Sequence, residues 1–131
     1  MGEEIVVDDR GPLRWIIVDR YERRNAWTLE MARYLGEVMA ESRNDDAVGG
    51  LVFAGKGGCF SAGIDRSVLG QDLQASPFDV ESFLRYEKPT LACIDGLAYG
   101  MGTTMALGCD LRVGSTNATF TMGFGSLGRT P

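Results

Sequence analysis

Two glycine-rich segments carry the chemistry this sequence can offer. One is Gly55-Lys56-Gly57-Gly58-Cys59-Phe60-Ser61-Ala62-Gly63-Ile64-Asp65, which follows a short apolar stretch; the other is Gly100-Met101-Gly102, which precedes a run of small residues. Each sits where a strand is expected to hand over to a helix. Backbone N–H groups at such places lack helical partners and point outward, so they bind anions or developing oxyanions, unless the glycines only turn the chain tightly. Two nucleotide patterns can be tested directly, and both fail. Walker A needs Gly-x-x-x-x-Gly-Lys-Ser/Thr where residues 55–58 read Gly-Lys-Gly-Gly, and the third glycine of a dinucleotide fingerprint would fall at Met105. Histidine is absent, which removes His-based triads, proton shuttles and His metal sites from this stretch.

The elements that must position these loops can be read from the apolar pattern. Residues 4–8 and 12–19 form two strands around the turn Asp9-Arg10-Gly11, so the chain opens with a hairpin. Arg20 to Asn25 is polar apart from Tyr21 and reads as a loop. Thr28 is placed to cap a helix running to about Ser42, with Met31, Leu35, Val38 and Met39 on one apolar face. Val48 to Ala54 is a short buried strand leading into the first glycine-rich loop. Ser76-Pro77 opens a second helix, with Phe78, Phe83 and Leu84 as its apolar side. Residues 89–94 make another strand, residues 103–108 a small-residue helix, and 111–113 and 118–122 two final strands. Strands alternating with helical crossovers define an α/β class with a largely parallel sheet.

Composition narrows the setting. The 131 residues suit a single domain, and the 44% hydrophobic and 24% charged content is that of a globular chain. Thirteen basic residues against eighteen acidic ones leave a net charge of −5, so no basic excess exists to bind a nucleic-acid backbone. No apolar run approaches the ~18 residues of a membrane span, and the acidic start resembles neither a signal peptide nor a myristoylation site. Cys59, Cys93 and Cys109 are odd in number and without CxxC spacing, which reads as free buried thiols in a cytoplasmic setting.

Three ordered motifs carry a family resemblance. Phe60-Ser61-Ala62-Gly63-Ile64-Asp65 resembles the first signature of the enoyl-CoA hydratase/isomerase (crotonase) family. The stretch from Lys88 through Gly96 to Gly102 resembles its second, which Cys109-Asp110-Leu111-Arg112 continues. Glu22-Arg23-Arg24-Asn25-Ala26-Trp27 is similar to the family's first substrate-side loop. The resemblance covers Ile5 to Pro131. It implies a crotonase-like spiral of strand-strand-helix units that binds acyl-CoA thioesters, usually as a homotrimer or hexamer, with coenzyme A as part of the substrate and no separate cofactor or metal. Residues 1–131 would form the N-terminal part of one such domain. The C-terminal helices that complete the pocket have no counterpart here, so apolar surface should be exposed where they pack.

The same resemblance assigns roles. The backbone N–H groups of Ile64 and Met101 would form an oxyanion hole for a thioester enolate, with the dipole of the helix opening at Gly102 assisting. Arg23, Arg24, Ala26, Ala62, Gly63, Asp65, Gly100 and Gly102 would line the substrate and CoA groove. Arg23 and Arg24 meet CoA phosphates or are two solvated arginines. Asp65 caps the helix after it and Asp110 is structural. The two glutamates of a hydratase fall at Thr104 and Phe124, neither of which is an acid or base at neutral pH. Residues 102–105 and 124–131 instead resemble a subgroup that includes delta-3,delta-2-enoyl-CoA isomerases, in which one carboxylate, following the proline matched by Pro131, moves the proton. Double-bond isomerisation in fatty-acid metabolism is the expected reaction. A hydratase-like relative with altered chemistry and a non-catalytic CoA-thioester binder are the alternatives.

Overall fold

The computed structural model describes residues 4–68 and 79–122 of the chain. The opening hairpin forms as its turn residues require. β1 (Ile5–Arg10) and β2 (Leu13–Val18) pair antiparallel, from Ile5 opposite Val18 to Arg10 opposite Leu13. Thr28 caps α1 (Leu29–Arg43), its hydroxyl accepting from the Met31 N–H at 3.2 Å. The buried side chains of α1 include Met31, Leu35, Val38 and Met39, the face that helical spacing predicts.

After α1, strands come in pairs. β3 (Gly50–Gly55) and β4 (Cys59–Ser61) precede α2 (Val80–Leu84). β5 (Thr90–Ile94) and β6 (Leu97–Tyr99) precede α3 (Met101–Gly108), and β7 (Leu111–Gly114) is followed by β8 (Thr119–Thr121). The first strand of each pair joins a five-stranded sheet ordered β1-β2-β3-β5-β7, and the second joins a three-stranded sheet ordered β4-β6-β8. Every pairing except β1–β2 is parallel. This is the spiral of strand-strand-helix units that the resemblance implies. The core joins Ile5, Ile16, Leu51, Phe53 and Ile94 of the large sheet to Met31 and Leu35 of α1, Phe60 of β4 and Met105 of α3. Lys88 ties α1 to the start of β5, its ammonium donating to the carbonyls of Ser42, Asp45 and Val48 at 2.6–2.7 Å.

Four expectations change. The described residues form two sheets rather than one, because β4 and β6 are three-residue strands hidden inside segments that read as glycine-rich loop and turn. α3 begins at Met101 rather than Thr103, with Gly100 as its N-cap. Leu84 is 59% exposed, since α2 has only five residues and buries Phe83 alone. The thiols are free, but Cys93 is only half-buried, whereas Cys59 and Cys109 are buried. The Ser76-Pro77 helix opening, Phe78, Phe124 and residues 125–131 lie outside the described residues. Among the described residues no helix is long and apolar enough to cross a membrane.

Candidate active site

The two glycine-rich segments meet. A Cβ placed on Gly63 would stand 2.8 Å from the Tyr99 carbonyl oxygen and 3.1 Å from the Met101 nitrogen, and the φ of +93° at Gly63 is itself one that side chains avoid. From the other side, a Cβ on Gly102 would collide with the Ser61 carbonyl oxygen. Two glycines therefore allow the 61–64 segment to lie against the first turn of α3.

The direction of the Ile64 N–H follows from a single parallel bridge. Trp27 pairs with Ile64: the Trp27 N–H donates to the Gly63 carbonyl at 2.7 Å and the Asp65 N–H donates to the Trp27 carbonyl at 2.9 Å. Alternate residues of an extended chain present their polar groups to opposite sides, so the N–H of Ile64 faces away from Trp27. It has no acceptor among the described residues. The Met101 N–H has none either, being at the first helical position, where no preceding carbonyl can reach it. Met101 takes up helical backbone rather than positive φ, so its side chain is accommodated without strain.

Asn25 holds the bridge. This side chain is fully buried, and its amide nitrogen donates to the carbonyls of Lys56 (2.9 Å) and Cys59 (2.7 Å) while its oxygen accepts from the Arg20 N–H (2.8 Å). Arg24 and Asn25 are the only non-glycine residues with positive φ among those described, at 53° and 56°. That turn aims the Arg24 carbonyl at the Ala62 N–H (2.8 Å) and the Asn25 carbonyl at the Ser61 hydroxyl (2.9 Å). Ser61 Oγ accepts in turn from the Gly63 N–H at 3.0 Å. On the α3 side, the Thr103 hydroxyl contacts the carbonyls of Ala98 and Thr121, and the Gly100 N–H donates to Thr121.

Asp65 follows Ile64 directly. Its carboxylate accepts from the Ser67 N–H (2.9 Å) and hydroxyl (2.7 Å), and from Arg20 Nη1 (2.7 Å). The Ser67 hydrogen bonds, followed by Arg20, hold it down at about 2. It therefore caps the 3-10 turn Arg66–Val68, a shorter element than the helix expected there. Asp110 accepts from the Thr90 N–H at 2.8 Å, a structural contact. Lys56 pairs with Asp19 at 3.4 Å.

Ala26, Ala62, Gly63, Ile64, Asp65, Gly100, Met101 and Gly102 are thus tied into one neighbourhood. The side chains of Arg23 and Arg24 are exposed and make no ion pair among the described residues; they join the network through their main chains, the Arg23 carbonyl accepting from Ala26 and the Arg24 carbonyl from Ala62. Asn25, Ser61, Thr103 and Arg20 hold the site yet were not singled out by sequence reading. Asn25 and Ser61 stood inside recognised motifs, so that signal was present. A void behind the loop, lined by Ile16, Val18, Trp27, Phe53, Phe60 and Met105 among others, has room for about one water molecule. It is too small for an acyl chain. Among the described residues no cluster of three or more His, Cys, Asp or Glu side chains is placed to hold a metal.

The chain that folds into this strand-strand-helix spiral has relatives. A family model described as Enoyl-CoA hydratase/isomerase matches residues 13–131, and the chain belongs to that family, whose members act on CoA thioesters. It is similar to 4-chlorobenzoyl coenzyme A dehalogenase-2 of Arthrobacter sp, 34% identical over 83% of this chain and 44% of the dehalogenase. It is similar also to 1,2-epoxyphenylacetyl-CoA isomerase of Escherichia coli, 32% identical over 88% of this chain and 49% of the isomerase. Among solved structures, Pseudomonas aeruginosa OdaA superposes with a TM-score of 0.92 at 34% identity, covering 98% of this chain and 54% of that one. The chain spans about half the length of the curated relatives it matches.

Proposed function

We propose that Ile64 and Met101 form the oxyanion hole of an acyl-CoA enzyme, and that its reaction is double-bond isomerisation of an enoyl-CoA. The observation that carries this reading is a pair of N–H groups without an acceptor among the described residues, on two segments in contact at Gly63, one of them at the opening of α3. Removing a proton next to a thioester carbonyl places negative charge on its oxygen, and returning the proton two carbons further along completes the shift of the double bond. Two preorganised donors stabilise that enolate far better than water does, and the helix N-terminus adds its dipole.

Thr104 favours isomerisation over hydration. It occupies the position matched to one hydratase glutamate, and its hydroxyl turns back to the Gly100 carbonyl at 3.4 Å. It can neither activate water nor protonate carbon at neutral pH. Residues 1–131 act in this reading as the N-terminal part of one crotonase-like domain, which contributes polarisation and not the proton-transfer base. Arg23 and Arg24, exposed on the loop that leads to Ala26, would meet CoA phosphates in this reading. A homotrimer or hexamer, a cytoplasmic location and a role in fatty-acid metabolism accompany the reading, with coenzyme A entering only as substrate.

The test uses acetoacetyl-CoA, whose enolate absorbs in the near ultraviolet. The protein should raise the enolate fraction at fixed pH. Met101→Pro removes one donor at a helical position that tolerates proline. It should reduce the effect by about 100-fold or more, as loss of an oxyanion donor does. An unchanged enolate band in the variant would sink the reading.

A further inference from the structure

Arg20 lies outside every recognised motif, yet its side chain touches both loops behind the Ile64 donor. Its Nη1 donates to the Ala26 carbonyl at 2.9 Å and to Asp65 Oδ2 at 2.7 Å, and its own N–H is held by Asn25 Oδ1 at 2.8 Å. The side chains of Arg20 and Asp65 are only 14% and 15% exposed, so water screens their attraction little. Ala26 immediately precedes Trp27 and Asp65 immediately follows Ile64. The guanidinium therefore clamps the two strands of the Trp27–Ile64 bridge together, one residue away from it on each side. Glu4, at 3.8 Å from Arg20 Nε, extends the same network to the start of β1.

We propose that Arg20 is a positioning residue for the oxyanion hole, fixing through Asp65 and Ala26 the direction in which the Ile64 N–H points. The inference rests on the proposed role of Ile64. Arg20 reaches no reacting atom; it acts by holding the 64–65 peptide against Trp27. Nη1 holds both acceptors while Nε faces Glu4, so the planar guanidinium serves three groups from two fixed nitrogens, which a point-charged ammonium does less well.

Arg20→Met, Arg20→Lys and Asp65→Asn separate the possibilities. With acetoacetyl-CoA at saturation, Arg20→Met should lower the enolate fraction by about 10- to 100-fold, the scale of a small misplacement of a reacting group. The dissociation constant for CoA itself should stay unchanged, and Arg20→Lys should recover part of the loss. Amide hydrogen exchange should speed up at Trp27 and Asp65, whose N–H groups form the bridge, and not at Leu51 and Val52 of β3. Asp65→Asn keeps the acceptor but not the charge, and should shift both readouts the same way if Arg20→Met is too unstable to study. A normal enolate signal in these variants, with wild-type polarising the probe, overturns the positioning role alone. Exchange that accelerates equally in β3 also overturns it, by showing a general loss of stability. Failure of the wild-type protein to polarise acetoacetyl-CoA overturns the oxyanion assignment and the role of Arg20 with it.

Discussion

Trp27 grips Ile64 from one side only. Its N–H and carbonyl engage the residues before and after Ile64, at 2.7 and 2.9 Å, and leave the Ile64 N–H directed away from Trp27. A single isolated bridge does what a longer strand pairing would spoil. Were the pairing extended on the far side of Ile64, its N–H would be consumed by a ladder partner and unavailable to substrate.

Gly63 is where that arrangement is most easily broken. Its φ of +93° disfavours any side chain, and a Cβ would press on the Tyr99 carbonyl and the Met101 nitrogen. Gly63→Ala should cost about 1–3 kcal/mol of stability from backbone strain and overpacking together. It should also lower the enolate fraction of bound acetoacetyl-CoA by about 100-fold, since it forces the two donors apart. Thermal melts and the near-ultraviolet band measure the two effects separately. Full polarisation by a folded Gly63→Ala protein would show that the contact at Gly63 does not set the donor spacing.

Asn25 tests the other half of the scaffold. Replacing it with Ala strands the carbonyls of Lys56 and Cys59 and the Arg20 N–H, and Cys59 is a buried strand residue. Leaving buried polar groups unpaired costs about 1–3 kcal/mol each, so about 2–4 kcal/mol is expected after partial rehydration. Urea denaturation gives the number. A loss below about 1 kcal/mol, the value of one ordinary hydrogen bond, would mean that the 20–27 loop rearranges freely around the vacancy.

How much of this was legible beforehand depends on the length of each element. The helix capped by Thr28 and the hairpin at Asp9-Arg10-Gly11 were readable because periodicity and capping act within a few residues of each other. β4 and β6 were not, because three residues, one of them Ser61, give too short a run for alternation to register. Their pairing is set by partners far along the chain, Cys59 with Leu97 and Leu97 with Thr119. Chemistry pointed to the two glycine-rich segments, but the particular donors came from the family motifs, since a backbone N–H leaves no mark on residue type. Arg20 escaped for a related reason: nothing local pairs it with Asp65, 45 positions away.

Acid should loosen the site before alkali does. Asp65 is held at about 2 in the folded chain, first by Ser67 and then by Arg20, against about 3.9 when unfolded. A depressed folded value means that the unfolded chain takes up the proton first. The stabilisation is therefore complete above about pH 4 and is lost as pH falls toward 2. Asp9, lowered by its hydrogen bond to Arg14, and Asp79, lowered by Ser82, act in the same direction. Urea midpoints of wild-type and Asp65→Asn protein should differ at pH 6 and converge toward pH 2. A constant difference across that range would show that Asp65 titrates alike in both states.

The strand edges make a separate prediction. Every residue of β7 and β8 is exposed, and Leu111 (65%), Val113 (58%) and Phe120 (49%) present apolar side chains beside Leu107 of α3 (58%). Among the described residues β7 is the last strand of the five-stranded sheet and β8 the last of the three-stranded one, so both present a sheet edge along an apolar surface. Such edges recruit other strands, and inward-pointing charge blocks them. The 131-residue chain should therefore self-associate as its concentration rises. Leu111 and Val113 are two residues apart on β7 and share a face, so Leu111→Lys with Val113→Lys places two charges on that face and should shift sedimentation velocity profiles toward monomer. The fold should survive, because neither side chain belongs to the core. Wild-type chain that sediments as a monomer at every concentration would show that these side chains are satisfied by contacts other than a second copy.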